Sequence, residues 1–600
     1  MILQALNDYY RRKQAAPDPK NRLPAFGLEE KEIPFILEID AEGRLLNLAD
    51  TRSGEGKKKT AQRFLVPQGV KKTSGVAANL LWDSAEYVLG VDTRGKPERV
   101  AEQRAAFRAR IEALPETTRE DAGIRAVLAF LASPDLSRLE TLPVWPDILA
   151  VNPVMSFRLH GDLGLVCQRP AVMAAWADRG GDETPDGVCL VSGQAAVIER
   201  LHPAIKGVWG AQTSGANIVS FNLDAFNSYG KAQGANAPLG KPAVFAYTTA
   251  LNHLLARDSR QRIQVGDAST VFWAEEDHAL ETALPDLFGE PPKDDPGRSA
   301  GAVKALYEAI HTGQFAVGRA DTRFHVLGLA PNAARIAIRF WETATAMELA
   351  RRITQHFEDI RLVHADFEPE HLSLTALLKG CSRRKSDGSY DIPPNLGGEA
   401  MRAILGADDG LYPATLLNLA VQRCRAEQAR KDQNGKPVPN VSYARAAIFK
   451  ACLNRSIRYR NTDEREYLPM LDTLNPNPGY LLGRLFATLE RIQEDAAGGS
   501  GKLNATIRDR YYGAASSTPA AVFSTLLRLE KHHIGKLAPG LAIVRERLVG
   551  EIMGGFDVDA FPPRVLSMQE QARFALGYYH QRQAFFTKSE PANTPEGETK

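Results

Sequence analysis

The chain has 600 residues, of which 44% are hydrophobic and 24% are charged. This balance is ordinary for globular proteins and excludes wholesale disorder. At roughly 150 residues per domain, the length predicts two to four domains. The 74 Lys and Arg residues nearly equal the 72 Asp and Glu residues, which excludes an evenly basic surface but not a basic patch balanced by acid elsewhere.

The five cysteines are sparse, and no two have the CxxC spacing of zinc or redox sites. Unpaired cysteines favour a reducing compartment. The N-terminal residues lack the apolar core of a signal peptide, and no run of 18 apolar residues predicts a membrane span. We therefore expect a soluble, cytoplasmic protein.

The first 150 residues predict a mixed region of helices and antiparallel strands. Along it the apolar residues change from helical spacing to the alternate spacing of strands, and then return to helical spacing. The predicted elements are a helix over 1–12, a β-hairpin over 32–49, a strand over 64–66, a helix over 77–90 that carries Trp82 and Tyr87, and two helical stretches within 98–133.

Residues 151–370 predict a central α+β region. Its strands come in adjacent pairs as often as they alternate with helices, so a doubly wound sheet is not favoured. Strands are predicted over 155–159, 164–168, 188–192, 217–222, 269–273, 323–329 and 335–341, and helices over 170–177, 243–256, 300–311 and 343–358.

Beyond residue 370 the pattern is helical throughout, and the Pro- and Asn-rich stretch 473–479 divides it. Helices are predicted over 372–379, 398–405, 413–431, 441–457, 477–495, 519–537, 539–552 and 564–586. The fold class is therefore α+β: an N-terminal mixed α/β region with antiparallel sheet elements, followed by an all-α C-terminal helical bundle. The predicted domains are 1–150, 151–370, a basic helical region 371–469 and the C-terminal bundle 470–600.

Catalytic signatures are missing from the sequence: it has no P-loop, no GxSxG elbow, no HExxH and no GxGxxG. Residues 364–371 contain two histidines and three carboxylates, which could hold the divalent ion of a nuclease. Pro369 and the dense charge favour an exposed loop instead. No metal or cofactor is predicted, and a metal-dependent nuclease stays as an alternative.

The first of three segments suited to polyanions covers residues 57–79, where six basic residues occur without an acid. Ser74 is a candidate N-cap of the predicted helix, whose free amides would attract a phosphate, and Asn79 could read a base edge. The alternative is a solvated lysine loop before an ordinary helix. The predicted nucleic-acid contacts here are Lys57, Lys58, Lys59, Arg63, Lys71, Lys72, Thr73, Ser74 and Asn79.

The second segment, 202–236, is dense in Gly, Ser, Asn and Gln with aromatic residues interleaved. Small residues let a backbone approach a ligand, while amides and hydroxyls bind phosphates or base edges. Aromatic side chains stack on bases, although burial in a core is their commoner fate. The predicted contacts are Lys206, Gln212, Asn217, Asn222, Tyr229 and Lys231.

The third segment, 379–460, has fifteen Lys or Arg residues against seven Asp or Glu. Each phosphate that such a strip neutralises releases counterions, which gives affinity that is independent of sequence and sensitive to salt. The alternative is two helices with solvated faces. The predicted contacts are Arg423, Arg430, Arg445 and Arg455, at spacings at which helices could present them together.

Long strings in these segments closely resemble one known family. They include MILQALNDYYRR at the N terminus, FLVPQGVKKTSGVAANLLWDSAEYVLG at 64–90, the run from Cys189 to Gly240, FAYTTALNHLL at 245–255 and FHVLGLAPNAARIAIRFW at 324–341. The family is the large subunit of the subtype I-C CRISPR Cascade, an RNA-guided surveillance complex. The resemblance covers most of residues 1–345 and thins across 260–320 and 380–470.

The resemblance implies a subunit that is not an enzyme. Such a subunit holds the 5′ handle of the guide RNA, recognises a protospacer-adjacent motif in double-stranded DNA, promotes unwinding and R-loop formation, and stabilises the displaced strand. Its partners would be the backbone and guide-processing subunits and a helicase–nuclease recruited in trans. The family also implies a small subunit made from the same gene, with an internal start at or near Met470. A nucleic-acid-binding scaffold outside CRISPR immunity stays as a further alternative.

On this resemblance, motif reading is expected of Lys71, Lys72, Thr73, Ser74 and Asn79. The segment 202–236 would be a second nucleic-acid surface, and the basic strip would track the displaced strand. Pairing of the guide would read the target sequence, while the protein reads a short duplex motif and the shape of the backbone. Which of the first two segments touches bases, and which touches guide RNA or partner subunits, the sequence leaves open.

Overall fold

The computed structural model describes residues 2–54, 59–70, 72, 75–178, 184–292, 294–295, 297–406, 410–499, 502–557 and 561–586. The chain divides into two units and passes from one to the other three times. Unit 1 comprises Met1–Ile205 and Asn217–His253, and unit 2 comprises Lys206–Ala216 and Leu254–Lys600. Each unit is described separately below.

Unit 1 combines short strands with helices of mixed length. Its helices are α1 (Ile2–Gln14), α2 (Ala85–Val88), α3 (Pro97–Glu112), α4 (Glu116–Arg119), α5 (Ala122–Ala132), α6 (Ser137–Glu140), α7 (Trp145–Val151), α8 (Pro170–Asp178) and α9 (Lys241–Leu254, which ends at the unit boundary). Its strands are β1 (Leu28–Glu32), β2 (Phe35–Ile39), β3 (Leu45–Asp50), β4 (Arg63–Pro67), β5 (Trp82–Ser84), β6 (Val154–Leu159), β7 (Gly187–Val188) and β8 (Ala195–Ala196).

The main sheet of unit 1 has the strand order β3-β2-β6-β5. Strand β2 pairs antiparallel with β3 and parallel with β6, and β5 pairs antiparallel with β6. A second, two-stranded sheet joins β1 and β4. The core lies between the main sheet and α3 and α5, where Phe107, Phe130 and Phe157 are fully buried and their rings are in contact.

Unit 2 has one meander sheet followed by a long helical region. Its strands are β9 (Arg262–Val265), β10 (Ala268–Ala274), β11 (Arg323–Asn332), β12 (Arg335–Thr345), β13 (Arg383–Arg384) and β14 (Tyr390–Asp391). Its helices are α10 (Leu280–Phe288), α11 (Arg298–Thr312), α12 (Ala346–Ile360), α13 (Leu374–Cys381), α14 (Leu396–Leu405), α15 (Ala414–Ala426), α16 (Tyr443–Arg460), α17 (Pro478–Ala496), α18 (Ile507–Ser517), α19 (Phe523–Ile534), α20 (Pro539–Met553) and α21 (Met568–Ala584).

Helices α17 and α21 form the centre of the helical region. Their axes come close because glycine occupies the contact: a Cβ at Gly483 would lie 1.9 Å from the Phe574 carbonyl oxygen, and one at Gly577 would lie 2.2 Å from that of Tyr480. The buried apolar cluster of unit 2 continues from the antiparallel sheet β12-β11-β10-β9 through these helices. The cluster is therefore uninterrupted at the predicted boundary 473–479.

The structure confirms the α+β fold class, with antiparallel sheet elements followed by a helical C-terminal region. Four predicted elements are wrong: 77–90 is not one helix, 164–168 contains a short 3-10 turn, 188–192 is a turn in which only Val188 belongs to a strand, and 217–222 is a loop. The fourfold domain division stays a prediction. Among the described residues, no helix is both long and apolar enough to cross a bilayer.

Four histidines of unit 2 are buried, and burial lowers the pKa of each: His278, His325, His356 and His580. The pKa is about 3 for His356 and His580 and about 4 for His325. Two of the rings lie in hydrogen-bond contact with a buried tyrosine hydroxyl, His356 with Tyr412 and His580 with Tyr480. Their folded pKa values lie below that of an unfolded histidine, which is about 6.5.

We predict that unit 2 loses stability as the pH falls below about 6.5. The unfolded chain takes up protons there while the folded chain does not, so each histidine costs about 1.4 kcal/mol per pH unit until its folded pKa is reached. Urea midpoints followed by circular dichroism at pH 7, 6 and 5 measure this slope. His580→Gln should flatten it, whereas the exposed control His532→Gln should not; a slope that His580→Gln leaves unchanged would contradict the assignment.

Candidate nucleic-acid interface

Of the first predicted set, Lys59, Arg63, Lys72 and Asn79 fall on described residues, and Lys57, Lys58, Lys71, Thr73 and Ser74 lie outside them. Lys59 is exposed. Arg63 is exposed at the start of β4, where its guanidinium Nε lies 3.6 Å from the Glu32 carboxylate across the β1–β4 ladder. Both side chains therefore face solvent with little to hold them in one position.

Lys72 is held much more firmly. Its ammonium group donates to the Asp83 carboxylate at 2.5 Å and lies 3.8 Å from the ring centroid of Tyr87. Asp83 is only 3% exposed, so this ion pair neutralises a carboxylate that has been taken out of water. Burial and the nearby Asp83 charge raise the pKa of the Tyr87 hydroxyl. Lys72 is thus fixed by one charge and one aromatic face.

Asp83 also closes the segment 68–79, which we call the anchored segment. One oxygen of Asp83 accepts the backbone N–H of Asn79 at 2.9 Å, and the Asn79 carboxamide oxygen accepts the N–H of Val70 at 2.9 Å. The Trp82 indole N–H donates to the Pro67 carbonyl at 2.9 Å. The two ends of the segment are therefore joined by hydrogen bonds from buried side chains.

This anchoring replaces the helix predicted over 77–90. Trp82–Ser84 pairs with β6 as strand β5, and only Ala85–Val88 is helical. Leu81 has a φ of +63°, and its carbonyl accepts the buried Ser156 hydroxyl. Residues 80–89 are buried except for the half-buried Ser84, and they include the charged Asp83 and Glu86, so pairing with β6 determined the backbone where the periodicity suggested a helix. The helix predicted to start after Ser74 is wrong, because the described residues 75–84 contain no helix; Ser74 itself lies outside the described residues. Asn79 is 6% exposed and serves the anchor.

The second predicted set is divided between the units. Lys206 and Gln212 belong to unit 2, and both are exposed. Near them in sequence, Trp209 is 62% exposed, and its backbone N–H donates to the Ser269 hydroxyl of β10. Asn217 belongs to unit 1, where its amide donates to the carbonyls of His202 and Pro203. Asn222, Tyr229 and Lys231 belong to the same unit and are exposed.

Tyr229 occupies the tip of a tight turn. Tyr229 and Gly230 have φ angles of +52° and +69°, and the Lys231 N–H donates to the Ser228 carbonyl at 2.9 Å. Asn236 fixes the turn, because its amide donates to the carbonyls of Lys231 and Gln233 and its oxygen accepts the Ser228 N–H. A left-handed backbone is costly for tyrosine, yet its side chain is 99% exposed. The fold therefore maintains an aromatic ring in solvent, where it is able to stack on a base.

The third predicted set separates into surface and interior. Arg423 and Arg430, at and after the end of α15, line a surface cavity of about 550 Å³ in unit 2. Arg445 and Arg455, both on α16, are 5% and 7% exposed. Arg445 binds Glu427 at 2.7 Å, and Arg455 binds the buried Asp359 at 2.7 Å. The prediction that helices present all four arginines together is wrong, since buried carboxylates hold two of them inside.

The cavity also contains three basic residues that sequence reasoning counted in the strip but did not select: Arg383, Arg384 and Lys385. They precede the turn of the β13–β14 hairpin. A sequence signal was present, because Asp387-Gly388 between polar residues is typical of a tight hairpin turn. Such a hairpin holds neighbouring basic side chains close to one another.

The histidine and carboxylate cluster at 364–371 does not converge on one point. His364 contacts the carbonyl of Ala365 and the ring of Tyr443, and His371 packs edge-on against Phe357. Among the residues that the structure describes, no three His, Cys, Asp or Glu side chains are placed to hold a metal ion. The nuclease alternative therefore has no geometric support from this cluster.

Unit 1 thus contains the anchored segment with its fixed Lys72, and unit 2 contains a basic surface cavity. A family model described as CRISPR-associated protein (Cas_Csd1) matches residues 6–586. The chain therefore belongs to the Cas_Csd1 family of CRISPR-associated proteins. Membership identifies it as an effector subunit of a multi-subunit CRISPR complex with nucleic acid. No curated protein matches the chain.

We predict that Asn79→Ala loosens the anchored segment. The substitution leaves the Val70 N–H without its acceptor, at a cost of about 1.4 kcal/mol, which corresponds to roughly tenfold faster amide exchange. Hydrogen–deuterium exchange of peptides containing Val70 measures this, with peptides of unit 2 as the internal reference. The exposed Asn47→Ala on β3 is the matched control. Unchanged exchange at Val70 would show that Asn79 does not close the segment.

Proposed function

We propose that this chain is the large subunit of a subtype I-C Cascade. In that role it recognises the protospacer-adjacent motif in double-stranded DNA, promotes unwinding and R-loop formation, stabilises the displaced strand and recruits a helicase–nuclease. The subtype rests on the long sequence resemblance across residues 1–345. The observation that carries the recognition role is the anchored segment, whose ends are tied by Asp83 and Asn79 while Lys72 is held in one place.

A fixed cation suits motif recognition for a physical reason. Sequence discrimination needs donors and acceptors at set positions against base edges and phosphates, and a mobile lysine gives affinity without position. The entropy of ordering Lys72 is already spent in folding, because Asp83 and Tyr87 fix it before DNA arrives. We therefore assign motif reading to the anchored segment, including Lys71, Thr73 and Ser74 beside Lys72 in the sequence.

The displaced strand needs a different surface. Single strands bind to basic grooves and to exposed aromatic faces, with strong salt dependence and little preference for sequence. Unit 1 offers the Tyr229 turn with Lys231, and unit 2 offers Arg423 and Arg430 at the cavity. We assign the displaced strand to these residues and leave Arg445 and Arg455 out of the contact set, because their guanidinium groups are buried.

We propose further that the chain does not itself cut DNA. The sequence contains no nucleophile, phosphate-binding or metallohydrolase signature, and the cluster at 364–371 does not converge. Cleavage would belong to the separate helicase–nuclease. The partners we propose are the guide RNA, both strands of the target, the backbone and guide-processing subunits, and a small subunit from the same gene.

We predict that the double substitution Lys71→Ala/Lys72→Ala weakens binding of a motif-bearing duplex by about tenfold or more at physiological salt, since each lost specific contact costs about 1–3 kcal/mol. Gel shifts with the reconstituted complex measure it. The control Lys20→Ala/Lys96→Ala removes the same charge from exposed positions of unit 1 and should change affinity little. Equal affinity of the Lys71/Lys72 variant and the unaltered complex would remove the recognition role from this segment.

The position of Met470 relative to the helices supports the proposal of a small subunit made from an internal start. Met470 is 61% exposed and precedes α17, which begins at Pro478 with Asn477 as its N-cap. A product starting there would contain α17 to α21 complete. In the full chain Arg573 of α21 binds Glu464 at 2.6 Å, and the Tyr579 hydroxyl donates to the Val363 carbonyl. The separate product would lack these partners, so we expect other subunits to cover that face.

We predict that Met470→Leu abolishes a short product of about 130 residues while the full chain is made in normal amount. Methionine and leucine have similar volume, and Met470 is exposed, so folding should not change. Denaturing gels and mass spectrometry of the purified complex measure this. Met553→Leu, within the same helical region, is the control. A short product that persists in the Met470→Leu variant would refute this start site.

A further inference from the structure

The cavity in unit 2 lies between the β13–β14 hairpin and the end of α15, and we call it the basic groove. Its volume is about 550 Å³. One wall is the hairpin and its turn, and the other is the last turn of α15 with the segment that follows. The lining residues are Arg383, Arg384, Lys385, Ser386, Asp387, Gly388, Arg423, Glu427, Arg430 and Gln433.

Both walls are tight turns with internal hydrogen bonds. In the hairpin, Asp387 accepts the backbone N–H and the hydroxyl of Ser389, and Gly388 has a φ of +85°. In the opposite segment, Asp432 accepts the N–H groups of Asn434 and Lys436. The two aspartates are occupied in shaping backbone, so the groove keeps its form without a ligand.

The charge of the groove is strongly positive. Five Arg or Lys side chains line it against two carboxylates, Asp387 and Glu427. Asp387 is held by Ser389, whose hydrogen bonds lower its pKa. Glu427 lies at the base of the groove and is the only lining carboxylate within 4 Å of Arg423 and Arg430 among the described residues, at 3.9 Å and 3.1 Å. Left to itself, Glu427 would occupy both arginines.

Arg445, which does not line the groove, takes up a share of the carboxylate charge, while Arg430 still donates to Glu427 at 3.1 Å. Arg445 is 5% exposed, and its Nη2 donates to Glu427 at 2.7 Å. Its other donors bind the carbonyls of Gly380 at 2.8 Å and Asn440 at 2.6 Å. Burial would raise the pKa of Glu427, but Arg445 and Arg430 lower it below its usual value. Glu427 therefore stays ionised, and Arg445 neutralises part of its charge without reaching the groove.

We propose that the basic groove binds the phosphodiester backbone of a single-stranded nucleic acid, and that Arg445 is a positioning residue that sets its charge. No aromatic side chain lines the groove in the part of the chain described, so it offers no stacking platform and selects charge rather than bases. The proposal rests on the proposed function, which assigns Arg423 and Arg430 of this groove to the displaced DNA strand. Guide RNA shares the phosphodiester chemistry, so the test below compares a DNA with an RNA oligonucleotide.

The test is binding of labelled 20-nucleotide oligothymidylate and oligouridylate to the full chain over a range of salt concentrations. Arg383→Ala/Arg384→Ala should weaken both by about tenfold or more and reduce the salt slope by about 1.4, for two lost single-strand phosphate contacts. Both arginines are exposed, so the fold should be intact by circular dichroism. Arg460→Ala, an exposed arginine outside the groove, is the control. Unchanged affinity for both oligonucleotides would overturn the groove, and a loss confined to oligouridylate would overturn backbone recognition in favour of 2′-hydroxyl reading.

The role of Arg445 is tested separately by rescue. Arg445→Met should weaken oligonucleotide binding several-fold, because the Glu427 charge is then balanced by Arg423 and Arg430 alone. Adding Glu427→Gln to that variant should restore affinity, whereas damage to the fold alone would not be restored. Failure of the rescue would overturn the positioning role.

Binding of a motif-bearing duplex is measured in parallel. If Arg383→Ala/Arg384→Ala leaves motif preference intact while single-strand affinity falls, the groove is established independently of motif recognition. If motif preference is absent in the unaltered complex, the proposed function fails, yet the oligonucleotide measurements still decide the groove.

Discussion

The pairing of buried carboxylates is the constraint on which the charge distribution of this protein depends. Asp83 and Asp359 are 3% and 1% exposed, and Glu490 is 1% exposed. An ionised carboxylate that has left water must be neutralised and hydrogen-bonded, or it destabilises the fold by several kcal/mol. Asp359 binds Arg455 and Arg458 at 2.7 and 2.6 Å, and Asp83 binds Lys72 at 2.5 Å. Each such site binds Lys or Arg side chains to a buried carboxylate, so their charge is not available at the surface.

This pairing explains where the free positive charge of unit 2 lies. Helix α16 crosses the interior, so its Arg445 and Arg455 meet carboxylates, and the ammonium group of its Lys450 donates to backbone carbonyls at the end of α12. Burial lowers the pKa of Lys450 to about 8. The hairpin and the end of α15 lie at the surface, and their arginines face a cavity. A count of charges along 379–460 cannot separate these two groups, because it does not show that Arg445 pairs with Glu427 or that Arg455 pairs with Asp359, which lies outside the strip.

Long periodic elements could be predicted from the sequence, and short elements fixed by distant partners could not. Four long elements fall close to their predicted ranges: the helices over 443–460 and 478–496 and the strands β11 and β12. Each is long enough for its pattern of apolar residues to repeat several times. The helix predicted over 77–90 is wrong because Trp82 pairs in a sheet with Ser156, which lies 74 residues away in the sequence. For the site, the sequence located the basic and Gly/Asn-rich segments. It could not show that Asn79 is an anchor, that Arg445 is buried, or that 206–216 belongs to a different unit from 217–236.

The two candidate surfaces use the same kind of ion pair in opposite senses. In unit 1 the buried carboxylate of Asp83 holds Lys72 of the anchored segment. Lys72 therefore has a fixed position, and Asp83 neutralises part of its charge. In unit 2 the buried Arg445 shares one carboxylate, Glu427, with Arg423 and Arg430, so the two groove arginines keep most of their positive charge. A fixed, partly neutralised cation favours discrimination between ligand geometries over affinity. Cations whose neighbouring carboxylate is already neutralised favour affinity for any chain of phosphates, and this affinity depends strongly on salt. If the functions proposed above hold, ion pairing in the interior separates recognition of a duplex motif from retention of a single strand through Asp83 and Arg445, two buried residues.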